Sequence, residues 1–493
     1  MEKFFLGIDI GTGSVKAVAT DGSGRSLAGA SVPYPTLSPS PGYSEQDPVV
    51  VWESFVRCVK EVLSRVDGEP AAVSLSSAMH SLLPVDQECR PLMNAMTWAD
   101  GRASEIAAAL RAMPNGEDLY RATGTPVHSI SMLARILWLR EHEPVLYATA
   151  HKFISLKEFI WYRLFGAWEV DYSVASATGL FHITHAAWDA TALALGAIEP
   201  FRLSDPVPTT YRRSDLVAEA QALLGLRPGT VFVIGASDGC LANLGTLAVD
   251  HRTAAITIGT SGAVRISSPL PVYNFGAMTF NYILDEDHYI CGGPVNNGGL
   301  SLDWLVRNFL GYQEQVTPQW YEQLFARISG VPAGAEGLVF LPYLTGERAP
   351  AWDARASGAF FGVRLYHHQD HFLRAVLEGV CFALKQVLEI VEETTRPVEQ
   401  IRLSGGFTGS PVWMQILADI LQKPVCLVRT ADASALGAVY LAMQALNPAT
   451  DLSALHREPE HLVSPDPDKA GVYHRNFEIY KQLYPNLKPL MHF

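Results

Sequence analysis

Residues 8–16 read IDIGTGSVK and residues 256–264 read ITIGTSGAV, and this pair decides how the chain is read. The two share an I-x-I-G-T core, with Gly11 matched to Gly259 about half the chain away. In each copy an apolar run breaks into a Gly/Thr turn and a second apolar run follows, which is the pattern of strand, hairpin turn, strand. Recurrence at the head of each half predicts two related domains facing each other. The length of 493 residues agrees, because a single hydrophobic core stops growing near about 250–300 residues. The boundary is expected within 246–254, so that residues 1–248 form an N-terminal domain and residues 249–493 a C-terminal domain.

Outward from these copies the elements alternate. Strands are expected at 4–10, 15–21 and 27–34, separated by Gly-rich turns. A Pro/Ser loop precedes a helix in which Val51, Phe55, Val59 and Val62 recur at helical spacing behind Asp47-Pro48. A strand at 71–78 and a short hairpin-like piece follow. The second half reads as strand 288–295, helix 300–310, a long helix near 369–394, strand 399–406, helix 411–421, strand 424–429 and helix 433–446. Both halves are therefore α/β.

Composition excludes several classes. Hydrophobic residues make up 48% of the chain and charged residues 18%, which is globular and not disordered. A net charge of −13 argues against binding nucleic acid through its phosphate backbone. The six cysteines fall in no C-x-x-C or zinc spacing, and read as reduced core thiols. With no apolar run long enough for a membrane span and no N-terminal signal after Met1-Glu2-Lys3, a cytoplasmic location is expected.

Three glycine loops carry the chemistry. In the first, Asp9 ends a strand just before Gly11, Thr12, Gly13 and Ser14. The glycines let backbone amides approach a phosphate, the hydroxyls of Thr12 and Ser14 add donors, and Lys16 adds charge. Asp9 is positioned to hold a magnesium ion, directly or through water. Read alone, the segment is more readily a plain β-hairpin with a tight turn. The second copy, Gly259-Thr260-Ser261-Gly262, repeats the loop but has Thr257 where the first has Asp9. Two phosphate loops with one carboxylate suit a nucleotide clamped between domains. The third loop, Ser404-Gly405-Gly406-Phe407-Thr408-Gly409-Ser410, lies between a strand and a helix, where glycines permit close approach to a flat ring. Neither a Walker sequence nor G-x-G-x-x-G occurs, so P-loop kinases and Rossmann dehydrogenases lose ground. Phosphoryl transfer to a hydroxyl also needs a group to take the proton. Asp238, in Gly-Ala-Ser-Asp-Gly-Cys after the apolar run 231–236, is the candidate base; its bland alternative is an Asp-Gly turn.

Taken together, these residues resemble the FGGY carbohydrate kinases, which share the fold of actin, hexokinase and the heat-shock chaperone ATPases. The resemblance spans nearly the whole chain. It includes D-x-G-T-x-x-x-K at the start, the Asp-Gly pair before the domain junction, the G-T-S loop, residues 342–363 and the run 405–419. Its most specific part is Gly358-Ala-Phe360-Phe-Gly362-Val363, seven residues, then His371-Phe372-Leu-Arg-Ala375-Val376-Leu377-Glu378. A second family signature fits less well: Trp138 is present, but Met132 and Arg135 replace the usual small residue and lysine. The resemblance implies two ribonuclease H-like domains with an interdomain cleft, and ATP with Mg2+ as cofactors. Asp238 would be the base and Asp9 the magnesium-side carboxylate. Thr12, Gly259 and Thr260, with the rest of both loops (Gly11, Gly13, Ser14, Lys16 and Ser261), would face the phosphates. Gly405, Gly406, Phe407 and Ser410 would surround the adenosine, and Gly299 and Asp303 a further part of the nucleotide.

The acceptor site is expected in the first domain. Met79-His80 stands where glycerol kinases carry Arg-Glu and where xylulose and gluconate kinases carry Met-His. Trp98, Asp100 and Arg102 follow as a stacking ring, a hydroxyl acceptor and a fixed cation. Segments 78–86, 97–102, 124–128 and 153–181 resemble gluconate kinases more than xylulose kinases. A sugar acid needs a cation or amide donors for its carboxylate; Arg102, His80, His128 and Lys157 are available. Gluconate is therefore the expected small-molecule partner, a ketopentose such as xylulose the alternative, and a homodimer the assembly kept open. An actin-like or chaperone-like ATPase without a sugar substrate is the reading from a different class.

Overall fold

A computed structural model describes residues 3–312, 317–428, 432–455 and 461–492. Its architecture rests on two mixed sheets. The first uses β1 (Lys3–Ile10), β2 (Ser14–Thr20), β3 (Ser26–Pro33), β4 (Glu69–Ser77), β5 (Arg212–Arg213) and β6 (Phe232–Ser237), in the order β5-β6-β4-β1-β2-β3. Strands β1–β3 form an antiparallel meander, while β4 and β6 add in parallel on the other side of β1. Beyond Lys3 nearly every residue of β1 is buried, which explains why it reads as a continuous apolar run rather than an alternating one.

The second sheet repeats this plan. Its strands are β7 (Thr253–Ile258), β8 (Gly262–Ser268), β9 (Phe280–Ile283), β10 (Tyr289–Val295), β11 (Gln400–Ser404), β12 (Val425–Leu427) and β13 (His461–Val463). The order β9-β10-β8-β7-β11-β12-β13 matches the first sheet with β7 in the place of β1, β11 in that of β4, and β9 as an added edge strand. The antiparallel and parallel pairings match as well. Asp9 and Thr257 thus occupy equivalent strand ends, as the repeated I-x-I-G-T core requires. Residue 429, at the end of the strand expected over 424–429, lies outside the described residues.

Helices cover the sheets: α1 (Pro48–Leu63) behind the first, and α4 (Gln369–Thr394) with α5 (Pro411–Leu421) behind the second. Asp47 caps α1 through its side chain, as its place before Pro48 predicts. Two further helices join the halves. These are α2 (Asp238–Gly245), which continues directly from β6, and α6 (Ala433–Leu446). Although α6 comes late in the chain, it lies on β1 and β4 of the first sheet and crosses α2. Ala236, Cys240, Leu241 and Leu244 pack with Ala438, Val439, Tyr440 and Leu441 and with Phe280 and Tyr282 of β9 in one hydrophobic cluster between the sheets. Between β4 and β5 lies a mostly helical region, including Met132–His142 and Leu156–Phe165, of which the sequence reading placed little. All six cysteines are buried. Among the described residues no helix is long and apolar enough to cross a membrane.

The helix crossing is possible because it is made of glycines. A Cβ on Gly437 would lie 1.9 Å from the Leu241 carbonyl oxygen, one on Gly245 2.0 Å from that of Ala433, and one on Gly7 of β1 1.9 Å from that of Ala435. These are backbone atoms, so no side chain can swing away to make room. Gly437→Ala and Gly245→Ala should each cost about 1–3 kcal/mol, read as a lower urea midpoint, because the helices must separate. Gly22→Ala, which meets nothing within 4 Å, should leave the midpoint within about 0.5 kcal/mol of the parent.

Candidate active site

A cavity of about 1090 Å³ opens where the ends of β1, β6, β7 and β11 meet the N-termini of α2 and α6; Asp9, Lys16, Asp238, Thr257, Arg265, Gly405, Gly406 and Asp432 all reach it. Asp9 is the next-to-last residue of β1, where its Oδ1 accepts a 2.6 Å bond from the Ser76 hydroxyl. Asp238 is not in a turn: it is the first residue of α2, Ser237 caps the helix, and its Oδ1 accepts from the Gly239 amide at 2.7 Å. Asp432 caps α6, accepting from the Ala435 amide at 2.9 Å through Oδ1 and from Lys16 at 2.8 Å through Oδ2.

The three carboxylates sense one another. Burial, then Asp432 and Asp238, push the Asp9 carboxyl up to about 8, against the Ser76 bond and Lys16. Burial raises Asp238 as well, opposed first by Arg265 and then by its own amide bond. Lys16 keeps its charge because its bond to Asp432 outweighs partial burial. An anionic site of this kind, with its one lysine already paired, fits a hard cation that takes further oxygen ligands from phosphate and water. Among the described residues no group of three or more His, Cys, Asp or Glu side chains is arranged to hold a metal by itself.

Both glycine loops are tied down by backbone bonds. In the first, the Gly11 amide donates to the Ser14 carbonyl at 3.0 Å, and Gln46 and Thr36 donate to the Thr12 carbonyl. The Thr12 hydroxyl accepts a 2.9 Å bond from Trp98 Nε1, which leaves its own proton to donate. A residue expected on the phosphates and one expected on the acceptor are therefore joined directly. In the second loop, Gly259 donates to Ser261 at 2.8 Å, while Gly299 and Leu300 donate to the carbonyls of Gly259 and Thr260. Those amides at the start of α3 (Gly299–Phe309) are thus engaged with the loop.

A second cavity of about 990 Å³ adjoins the first through Gly406, Gly409 and Pro411, and Gly259, Thr260, Gly299, Asp303, Phe407 and Ser410 reach it. Leu302, Phe325 and Val412 give it an apolar wall suited to a flat ring. Gly405 must be glycine, since its φ is 102° and a Cβ would meet the Ile258 carbonyl oxygen at 2.3 Å. Phe407 is buried edge-on against Trp413, Ser410 caps α5, and Asp303 bonds Arg307 at 2.9 Å.

The acceptor-side residues cluster, but several are committed to the protein. Arg102 donates to Asp100 from Nε at 2.8 Å and from Nη2 at 2.7 Å, and to Glu45 at 2.6 Å, with Tyr43 3.7 Å from its guanidinium carbon. Arg102 and Asp100 side chains are only 4% and 0% exposed, so this is an internal ion pair. Lys157 is likewise buried against Asp171 at 2.7 Å. His80 has both ring nitrogens engaged, Nδ1 with the Ala177 carbonyl at 2.9 Å and Nε2 with the Tyr282 hydroxyl at 3.0 Å. A carbonyl only accepts, so Nδ1 carries the proton and Tyr282 donates to Nε2. Burial and then Arg135 lower His80 to about 3, and burial and then Arg348 lower His128 to about 3; both rings are neutral. Met79 touches the position of Gly239, next to Asp238.

Four residues of this site were not singled out from sequence: Asp432, Arg265, Arg348 and Glu45. Only the N-cap position of Asp432, just before the helix at 433, carried a sequence signal. Arg348 lies with its guanidinium carbon 5.0 Å from the Trp98 ring and donates to the Asn296 side chain at 2.7 Å and the Val295 carbonyl at 3.0 Å. Among the described residues its side chain has no ion pair within 4.0 Å, and the adjoining Glu347 is the acid that acts on it electrostatically.

Comparison with known proteins bears on the whole chain. Residues 4–245 match the N-terminal domain, and residues 254–446 the C-terminal domain, of the FGGY family of carbohydrate kinases. A gluconokinase of Bacillus licheniformis is 39% identical over 451 residues, covering 90% of this chain and 88% of the relative. A ligand-bound xylulose kinase and a gluconate kinase, both from Lactobacillus acidophilus, superpose with TM-scores of 0.93 and 0.92. Each is 32% identical and covers 99% of this chain and 98% of the other.

Two outcomes follow from the charges. The folded protein holds Asp9 protonated up to about pH 8, whereas an unfolded chain ionises it near about pH 4, so this carboxylate costs stability increasingly between those values. Asp9→Asn should therefore raise the melting temperature of the nucleotide-free protein, by an amount that grows from about pH 5 to about pH 8 and then levels off. Melting curves across that range decide it, and a variant less stable at every pH contradicts it. Arg102→Gln should lose about 3–5 kcal/mol by leaving Asp100 and Glu45 buried without their partner, as measured by urea unfolding.

Proposed function

The chain belongs to the FGGY family of carbohydrate kinases, and from that premise we propose that it transfers the ATP γ-phosphoryl group to the terminal hydroxyl of D-gluconate, giving 6-phosphogluconate. The observation that carries the acceptor choice is the 39% identity to a gluconokinase over 90% of the chain. The equally close fold of a xylulose kinase favours a ketopentose as the second reading.

In this reading residues 1–248 hold the acceptor and the first phosphate loop, and residues 249–493 hold most of the nucleotide. Asp238 accepts the proton of the attacking hydroxyl; burial raises its pKa and so improves it as a base. The amides and hydroxyls of Thr12 and Thr260 orient the phosphates, with Gly259 leaving room for their approach, and the apolar wall beside Gly406 takes the adenine ring. A bound Mg2+, held by Asp9 directly or through water, would offset charge on the phosphate oxygens. Trp98 supplies a face for the acceptor and Met79 closes the floor beside Gly239. With Arg102 and Lys157 paired internally, Arg348 beside the Trp98 ring is the cation that meets the acceptor carboxylate in this reading. Closing the cleft excludes water, so that the sugar hydroxyl attacks in its place.

ADP release measured with gluconate, xylulose, glycerol or no acceptor tests this. Gluconate should give the highest kcat/KM, and Asp238→Asn should lower kcat by about 10²–10⁴-fold. Turnover of xylulose with gluconate inert would replace the acceptor; equal ATP hydrolysis without any acceptor would favour an ATPase.

A further inference from the structure

We propose that Arg265 donates hydrogen bonds to the phosphoryl group in transit, an inference that rests on the kinase reading above. Arg265 sits in β8, beside β7, and its side chain reaches the same cavity as Asp9 and Asp238. A Cβ on Gly239 would lie 3.1 Å from Arg265 Nε and 2.9 Å from Met79 Cε, so the guanidinium stands directly beside the residue that follows the base. Among the described residues its side chain makes one hydrogen bond, a long one of 3.3 Å from Nη1 to the Thr257 hydroxyl, and its buried Nε has no partner.

The charges of the cavity single it out. Asp9, Asp238 and Asp432 face Lys16 and Arg265, and Lys16 is bound to Asp432 at 2.8 Å. Among the described residues no carboxylate pairs with Arg265; Tyr282 and Arg348 are its other charged or titratable neighbours besides Asp238 and Cys240. A guanidinium carries five N–H donors in a rigid fork, and a buried donor without an acceptor is costly. The fork suits an oxyanion with two free oxygens.

Such an oxyanion arises beside Asp238 during transfer. The acceptor oxygen bonds to the γ-phosphorus as the bond from phosphorus to the bridging oxygen breaks. That electron pair stays on ADP, and the hydroxyl proton passes to the Asp238 carboxylate. Charge then lies on three equatorial oxygens, which an arginine can meet from the side. Arg265 comes from the second half and Asp238 from the first, so the contact to the group in transit spans the two halves. The same oxyanion chemistry is also present in the carboxylate of the acceptor, and the two sources separate in the kinetics.

Arg265→Gln and Arg265→Lys, compared with wild type using gluconate and ATP, provide the test. Arg265→Gln should lower kcat by about 10²–10³-fold with KM changed less than about threefold. By calorimetry without acceptor it should bind ADP normally but lose about 10²-fold or more in affinity for ADP with aluminium fluoride, a planar mimic of the group in transit. Arg265→Lys should recover part of both. A loss confined to KM, with kcat kept, assigns the contact to the acceptor carboxylate and overturns the proposal. So does kcat within about threefold of wild type, or an equal loss of ADP affinity with a lowered melting temperature, which marks a structural role. Wild-type protein that phosphorylates no acceptor fails the kinase reading itself, before any variant is compared, and the proposal falls with it.

Discussion

Helices α2 and α6 cross at a distance that only glycine permits, and most of the active-site geometry depends on that crossing. Gly437 meets the backbone at Leu241, and Gly245 meets it at Ala433. Each helix begins at the cavity, α2 with Asp238 and α6 behind its cap Asp432. Because α6 rests on β1 through Gly7, the same contact sets where Asp9 stands relative to both. A shift of one helix would therefore move the proposed base, a cap and a strand-end carboxylate together.

The crossing also sets the electrostatics. Three acidic side chains gathered in a poorly solvated cavity are unfavourable in the empty protein, and the rise of Asp9 to about 8 expresses that cost. Only partial relief comes from within the chain, through Lys16 on Asp432 and Arg265 near Asp238. Such strain is common where a protein must bind a cation and a polyanion, since ligand binding relieves it. Across the cleft the pattern differs: Arg102 and Lys157 are neutralised by internal acids, whereas among the described residues the Arg348 side chain donates to neutral oxygens, with Glu347 acting on it electrostatically.

Much of this was legible in the sequence. The repeat at Gly11 and Gly259 predicted two sheets of one plan, and their strand orders agree because each copy starts a meander that must pair with the same later strands. Strand and helix boundaries followed from apolar runs and glycine breaks to within a few residues. What escaped was contact between distant segments. Nothing near Arg102 announces Glu45, 57 residues away, and nothing near Asp432 announces Lys16, 416 residues away. A lone arginine reads the same whether it binds a ligand or completes an internal pair. In the helical region between β4 and β5, Met132–His142 and Leu156–Phe165 were hard to place because each is buried on most of its circumference and shows weak periodicity; even Arg135 and Lys157 are buried there.

The proposed reaction moves a phosphoryl group from ATP to the far hydroxyl of a polyhydroxy acid, inside a cleft built by that crossing. Phosphorus NMR of the product made from gluconate and ATP tests it most directly. A phosphomonoester signal split by the two protons of a terminal CH2 group is the predicted result. Inorganic phosphate as the sole new phosphorus signal besides ADP, or a signal split by a single proton, would contradict it.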